Sequence, residues 1–177
     1  MNVSDAIRFK RAVRKFTPEP LTEETILAIL NAGRRAQSSK NSQPWHFITI
    51  TDKGILKQLS ECGYAGGVGP SNASHIAGAA LAVAILTPDP LAKFQTMFDA
   101  GQAAAYMQLA AWELGIGSCP ASIYEPERAR QILGFPDVWH LRMVLSFGYP
   151  LQVEKLTSPP NKGGRRTLDD IVHREKW

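Results

Sequence analysis

Basic side chains gather at both ends of the sequence: Arg8, Lys10, Arg11, Arg14 and Lys15 near the start, Lys162, Arg165 and Arg166 near the finish. The formal net charge is only +4, with 20 Lys and Arg against 16 Asp and Glu, so this is clustering and not a uniformly basic protein. Two cation clusters distant in sequence can converge on one anion, most simply a phosphate, to which both residue types donate charge-assisted hydrogen bonds. Two unrelated solvated faces are the alternative, and the commoner meaning of charge runs. A second polar run, Gln37 to Gln43, precedes Pro44, Trp45, His46 and Phe47. Its amides and hydroxyls can pair with the donor and acceptor edge of a heterocycle. A plain turn followed by a Trp anchored in the core explains the same stretch without chemistry.

Other constellations are missing. His46, His75, His140 and His173 show neither HExxH nor zinc-finger spacing, so no metal site is expected. There is no GxSxG elbow and no P-loop. Gly115-Ile116-Gly117 lacks the third glycine and the preceding strand of a dinucleotide fingerprint. Cys119 has no histidine nearby in sequence and reads as a structural thiol. Cys62 and Cys119 form no CxxC, and both are expected reduced, as in a cytoplasmic protein. Charges at Asp5, Arg8, Lys10 and Arg11 rule out a signal-peptide h-region, and no apolar run reaches the roughly 18 to 20 residues that span a bilayer. An enzyme of this composition would take its hard chemistry from a cofactor. The basic balance suits a small anionic ligand or a nucleic acid, but the aromatic interleaving of a single-strand binder is lacking.

The elements that must position these residues follow from patterning. A length of 177 residues, 44% apolar and 20% charged, fits one globular domain. Ser4 is expected to cap a helix running through Ala6, Ile7 and Phe9 to about Arg14. Thr22 caps a second, with Glu23 and Glu24 in its first turn, Leu21 stapled onto Ile26, and Gly33 loosening its far end. Trp45 to Ile50 alternates as a strand, a short helix follows Asp52, and glycine-rich residues 63–74 form a loop. Ala79 to Leu86 is a strand buried on both faces. Phe98 to Leu114 is an alanine-rich helix, and Pro126 opens another that ends at Gly134. Leu141 to Phe147 is a strand, and the polar tail from Pro150 ends with a short helix over Leu168 to His173. The whole reads as an α+β domain, helix-rich, with a small mixed sheet.

In order along the chain, four blocks resemble the FMN-dependent nitroreductase family. Lys10-Arg11-Ala12-Val13-Arg14-Lys15-Phe16 resembles its R-R-S-x-R-x-F motif, and Ser38-Ser39-Lys40-Asn41-Ser42-Gln43-Pro44-Trp45 its P-S-x-x-N-x-Q-P-W loop. Asp99-Ala100-Gly101, leading to Leu114 through Cys119, resembles the central helix and its exit loop. Phe147-Gly148-Tyr149-Pro150 and Gly164 through His173 resemble the closing strand and basic tail.

The resemblance implies an α+β nitroreductase-like fold, helices around a small, mainly antiparallel sheet, in an intertwined homodimer. It implies one domain over residues 1–177, with 150–177 a tail that packs on the partner subunit. Lys10, Arg11 and the backbone of Ala12 would hold the FMN phosphate and ribityl chain, and Arg165 and Arg166 would close on the phosphate. Arg14 would sit near the pyrimidine edge of the flavin and raise its potential, since a fixed cation stabilises the reduced, anionic ring. Ser38, Ser39, Asn41 and Gln43, with Arg35, would reach flavin from the partner, and Ala121, Ser122 and Ile123 would line the ring near N5. Residues 66–72 fall where the family often places substrate contacts.

Two departures bear on the expectation. Ala12 removes a serine hydroxyl from the phosphate shell, about 1 kcal/mol as a net hydrogen bond. The chain also lacks the helical excursion that larger members fold over the flavin, and Pro120-Ala121-Ser122 differs from the usual exit loop. The expected activity is ping-pong reduction of nitroaromatic, quinone or similar acceptors with NADH or NADPH, no dedicated catalytic side chain, and no nucleic-acid or membrane partner. The alternatives are a reductive dehalogenase or flavin-consuming oxidase of the same fold, or a flavin-binding protein without turnover.

Overall fold

In the computed structural model, which describes residues 2–63, 73–89, 91–154 and 164–177, strand β2 (Leu81–Thr87) is the spine of the sheet. All seven of its residues are buried, as its continuous apolar run requires. β1 (His46–Ile50) and β4 (His140–Gly148) pair antiparallel on either side, and β3 (Gly117–Ser122) pairs with the outer edge of β4. The order is therefore β1-β2-β4-β3. Every pairing within this sheet is antiparallel, and an isolated parallel bridge from Ala12 to Ser118 lays the N-terminal segment along β3.

Helices cover both faces. On one, α2 (Glu23–Arg34) and α4 (Gln95–Glu113) pack Ile29, Ala103 and Met107 against Val83, Ile85, Leu145 and Phe147. On the other, α3 (Lys53–Glu61) and α5 (Pro126–Leu133) pack Leu56, Leu59 and Ala129 against Ala82, Ala84, Leu141 and Val144. Gly33 is a packing residue and does not loosen its helix: a Cβ there would stand 2.2 Å from Met107 Cε. A third cluster of Ala6, Val13 and Trp112 ties α1 (Val3–Phe9) and the following segment to α4.

Local signals set most boundaries. The Thr22 and Asp52 side chains cap α2 and α3 by accepting from Thr25 N and Ile55 N, and Gly134 ends α5 at φ 69°. Four expectations need correction. Asn2, not Ser4, caps α1, which stops at Phe9 because the next residues are claimed by pairing with β3 and Pro150. α4 begins three residues early, at Gln95. Residues 117–122, expected as an exit loop, form β3; their small residues carry no apolar alternation, and Pro120 is tolerated because the strand lies at the sheet's edge. Leu168 to His173 forms turns and not a helix, exposed throughout, and a segment so short is not stable as a helix without packing. The expectations for residues 66–72 and for Lys162 lie outside the described residues.

Candidate functional site

Extended backbone from Lys10 to Phe16 carries the N-terminal cations past β3. Val13 N donates to Ser118 O at 2.9 Å, Leu151 N to Lys15 O at 2.9 Å, and Thr17 N to Tyr149 O at 2.8 Å. Alternation along extended chain puts Lys10, Ala12 and Arg14 on one side and buries Val13 on the other. Lys10 is half-buried; its Nζ donates to Gln108 Oε1 at 2.9 Å, and burial lowers its ammonium below the ordinary lysine value. Burial pushes the Cys119 thiol up, opposed by the positive charges of Arg14 and Lys10, so both cations stand near β3. Arg11, Ala12, Arg14 and Lys15 line a groove of about 170 Å³ with Pro150 and Gln152.

Polar atoms beside this segment lack protein partners. Ser118 Oγ and Gln108 Nε2 are both buried without a hydrogen bond among the described residues. Buried polar groups are nearly always paired, so these two atoms are free to take a partner from a bound molecule. Ala121 and Ile123 turn their side chains into the core on the α3 and α5 face, and only Ser122 is exposed. Any ligand contact from residues 121–123 would therefore use backbone and the Ser122 hydroxyl.

The polar loop after α2 is built differently. Lys40, Asn41 and Gln43 hold left-handed φ of 53°, 54° and 47°, an unusual concentration of strain for non-glycine residues. Ser38 Oγ accepts from Gln43 N at 2.9 Å, and Asp99 Oδ2, buried on α4, accepts from Ser39 N at 3.0 Å. Ser39, Asn41 and Gln43 face solvent, and Arg35 is exposed as the C-cap of α2. Asp99 and Gln108, which anchor the loop and Lys10 respectively, lie nine residues apart on α4, about 13 Å along its axis. One chain thus carries two separate polar groups, and Arg165 and Arg166 stand exposed in the tail.

Between α4 and the sheet lies an apolar cleft of about 240 Å³. Ala100, Gly101, Ala104 and Ala105 form one wall, Pro120, Met143 and Leu145 the other. Behind β3, His75 Nδ1 is 2.7 Å from Ser146 Oγ, whose hydroxyl donates to Cys119 O at 3.1 Å. That hydroxyl has one proton to give, so His75 Nδ1 must donate to it. Burial, aided by the Arg14 charge, lowers the His75 imidazole to about 4 and keeps it neutral. Neither Gln108 nor His75 nor Arg142 was legible as part of a site from sequence; Gln108 and Arg142 are brought to one cleft, and His75 to Ser146, only by packing.

The sequence pattern that defines the Nitroreductase family matches residues 7–64 and 69–149. The chain belongs to the nitroreductase family, a family of oxidoreductases. An Archaeoglobus fulgidus protein provisionally named NADH dehydrogenase/NAD(P)H nitroreductase is 31% identical over 175 residues, spanning 95% of this chain and 94% of its own. The solved structure of an FMN-dependent nitroreductase from Clostridium difficile superimposes with a TM-score of 0.79 at 28% identity, covering 97% of this chain and 98% of that one. A Parabacteroides distasonis relative superimposes at 0.81 with 24% identity over 98% of each chain, and bears on the fold alone. Among the described residues, no helix is long and apolar enough to cross a membrane, and no group of His, Cys, Asp or Glu could hold a metal ion.

Proposed function

We propose that this nitroreductase-family chain is an FMN-dependent oxidoreductase that uses NADH or NADPH to reduce nitroaromatic, quinone or similar electrophilic acceptors. The observation that carries the reading is the Lys10–Phe16 segment laid against β3, its cations beside the orphaned Ser118 Oγ and Gln108 Nε2. That donor set fits a phosphorylated heterocycle: cations for the phosphate, and neutral donors for ring or ribityl oxygens. When bound, FMN would supply the electron transfer, taking a hydride equivalent from the pyridine nucleotide and passing electrons to the acceptor in ping-pong order.

The chain's own residues bind and tune. Lys10, Arg11 and the Ala12 backbone hold the phosphate end, joined by Arg165 and Arg166. Arg14 fixes positive charge where the reduced ring becomes negative, and it needs no reorganisation to do so. Backbone groups of Ala121 and Ser122 present hydrogen-bonding atoms from a strand held by β4, and Ile123 follows with its N–H already given to Arg142 O.

Ser38, Ser39, Asn41, Gln43 and Arg35 complete the site from a second copy of the chain. Large apolar side chains left exposed on α1, on α4 and at its N-cap support that assembly, among them Ile7 at 65%, Phe98 at 72% and Phe94 at 79% exposure. A tail ending in the fully exposed Trp177 is suited to pack on the partner.

The purified protein should be a yellow dimer that bleaches when NADH or NADPH is added without oxygen. Arg14→Ala should lower the flavin potential, and Arg165→Ala should weaken FMN retention. A colourless protein that takes up no added FMN would refute the proposal. Flavin that neither nucleotide reduces would leave binding without this turnover.

A further inference from the structure

The apolar cleft between α4 and the sheet has chemically different ends. It runs along α4 from Met97 to Gln108, eleven residues and about 16 Å. At the Gln108 end stands Lys10, part of the cofactor cradle proposed above. At the other end stand Thr87 and Arg142, and Arg142 is the one charged side chain among the lining residues.

Arg142 reaches this position through a bulge. Ile85 pairs with Met143 and Leu86 with Leu141, so Arg142 is the extra residue on β4. Regular alternation would put Leu141, Met143 and Leu145 on one face. Instead Leu141 packs into the core under α3 and α5, while Arg142, Met143 and Leu145 all line the cleft. The bulged residue is tied to the end of β3, where its carbonyl accepts from Ile123 N at 2.9 Å. Among the described residues no carboxylate pairs with its guanidinium. An exposed cation at the rim of a mostly apolar slot suits a molecule with an apolar ring and an anionic group. At about 240 Å³ the slot falls below the size of sites for drug-sized ligands, which limits it to one small ring system.

We infer that this cleft is the acceptor pocket and that Arg142 selects acceptors carrying a carboxylate or similar anion on an aromatic ring. The acceptor role rests on the proposed flavin chemistry; the selective binding of an aromatic anion does not. The guanidinium forms a two-pronged contact with a carboxylate that a neutral amide of the same shape cannot match.

The test measures calorimetric binding of benzoate and benzamide to the FMN-loaded protein and to protein without added FMN. Benzoate should bind at least tenfold more tightly than benzamide. Arg142→Gln should bring the two within threefold, and Arg142→Lys should retain part of the preference. FMN content should match wild type in both variants. In turnover, kcat/KM in Arg142→Gln should fall at least tenfold more for 4-nitrobenzoate than for 4-nitrobenzamide. A preference for benzoate that survives Arg142→Gln overturns the inference, as does a wild-type protein that binds neither probe. If Arg142→Gln instead raises the KM for NADPH and leaves the nitrobenzoate preference intact, the cation serves the reductant and the inference also falls. Selective benzoate binding by a protein that takes up no FMN would sustain the anion site while refuting the flavin reading.

Discussion

A methyl group placed on Gly117 would collide with the residue that seats the cation segment. Its Cβ would lie 2.6 Å from Val13 Cβ and 2.7 and 2.8 Å from the two γ carbons, where ordinary contact begins beyond 3.4 Å. Val13 is β-branched, 7% exposed and wedged with Ala6 and Trp112, so it has no free rotamer into which to retreat. The strain must therefore move the Lys10–Phe16 backbone away from β3. Overpacking of this kind costs about 1–3 kcal/mol, or roughly 2–12 °C in Tm at about 2–4 °C per kcal/mol for a domain of this size.

Val13→Ala alone removes two buried methyl equivalents, about 1.5 kcal/mol. Combined with Gly117→Ala it also removes the two γ-carbon contacts and leaves only the Cβ contact, so the double variant should be more stable than the sum of the two losses by about 0.5 kcal/mol or more. Thermal denaturation of the four proteins reads the cycle, and flavin fluorescence quenching reads FMN affinity in parallel. Gly117→Ala should weaken FMN at least tenfold while the double variant recovers part of that loss. Additive effects, or a Gly117→Ala protein within 0.5 kcal/mol of wild type, would show that the segment is not seated as described.

Three further outcomes are expected. His75 is held neutral with its value lowered from 6.5 to about 4, so the unfolded chain takes up the proton first as pH falls. Its stabilising contribution is full above about pH 6.5 and is lost on descending toward pH 4, about 3 kcal/mol in all; denaturant titrations across that window should show a slope that His75→Gln flattens. Burial raises both the Cys62 and Cys119 thiols, so Ellman's reagent at pH 8 should label neither in native protein and both once it is unfolded. Lys40→Gly should raise Tm by about 2–4 °C by relieving its left-handed φ of 53°, a strain of about 1 kcal/mol; a lower Tm would mean that the lysine side chain anchors the loop.

Residues whose roles are local are legible in the sequence itself. Thr22 and Asp52 cap helices because a side-chain oxygen needs only an N–H three residues on. Gly134 ends α5, and the unbroken apolar run of β2 implies burial on both faces. The two polar groups of the candidate site are visible as well, since cations and amides advertise themselves by type. Where local preference and long-range pairing disagree, pairing wins. Residues 10–16 are as able to continue a helix as to extend, and contact with β3 and Pro150 decides the matter.

What the sequence determined by itself was thus the set of elements with strong local signals, the inventory of charged and amide groups, and a family pattern in their order. Tertiary structure alone decided that a glycine- and proline-bearing run becomes edge strand β3. It alone joined Lys10 to Gln108 across 98 positions and His75 to Ser146 across 71, and it alone brought Arg142 to the rim of a mostly apolar cleft through one bulged residue. Those contacts depend on register and packing between distant segments, and no local preference encodes which distant partner a side chain will meet.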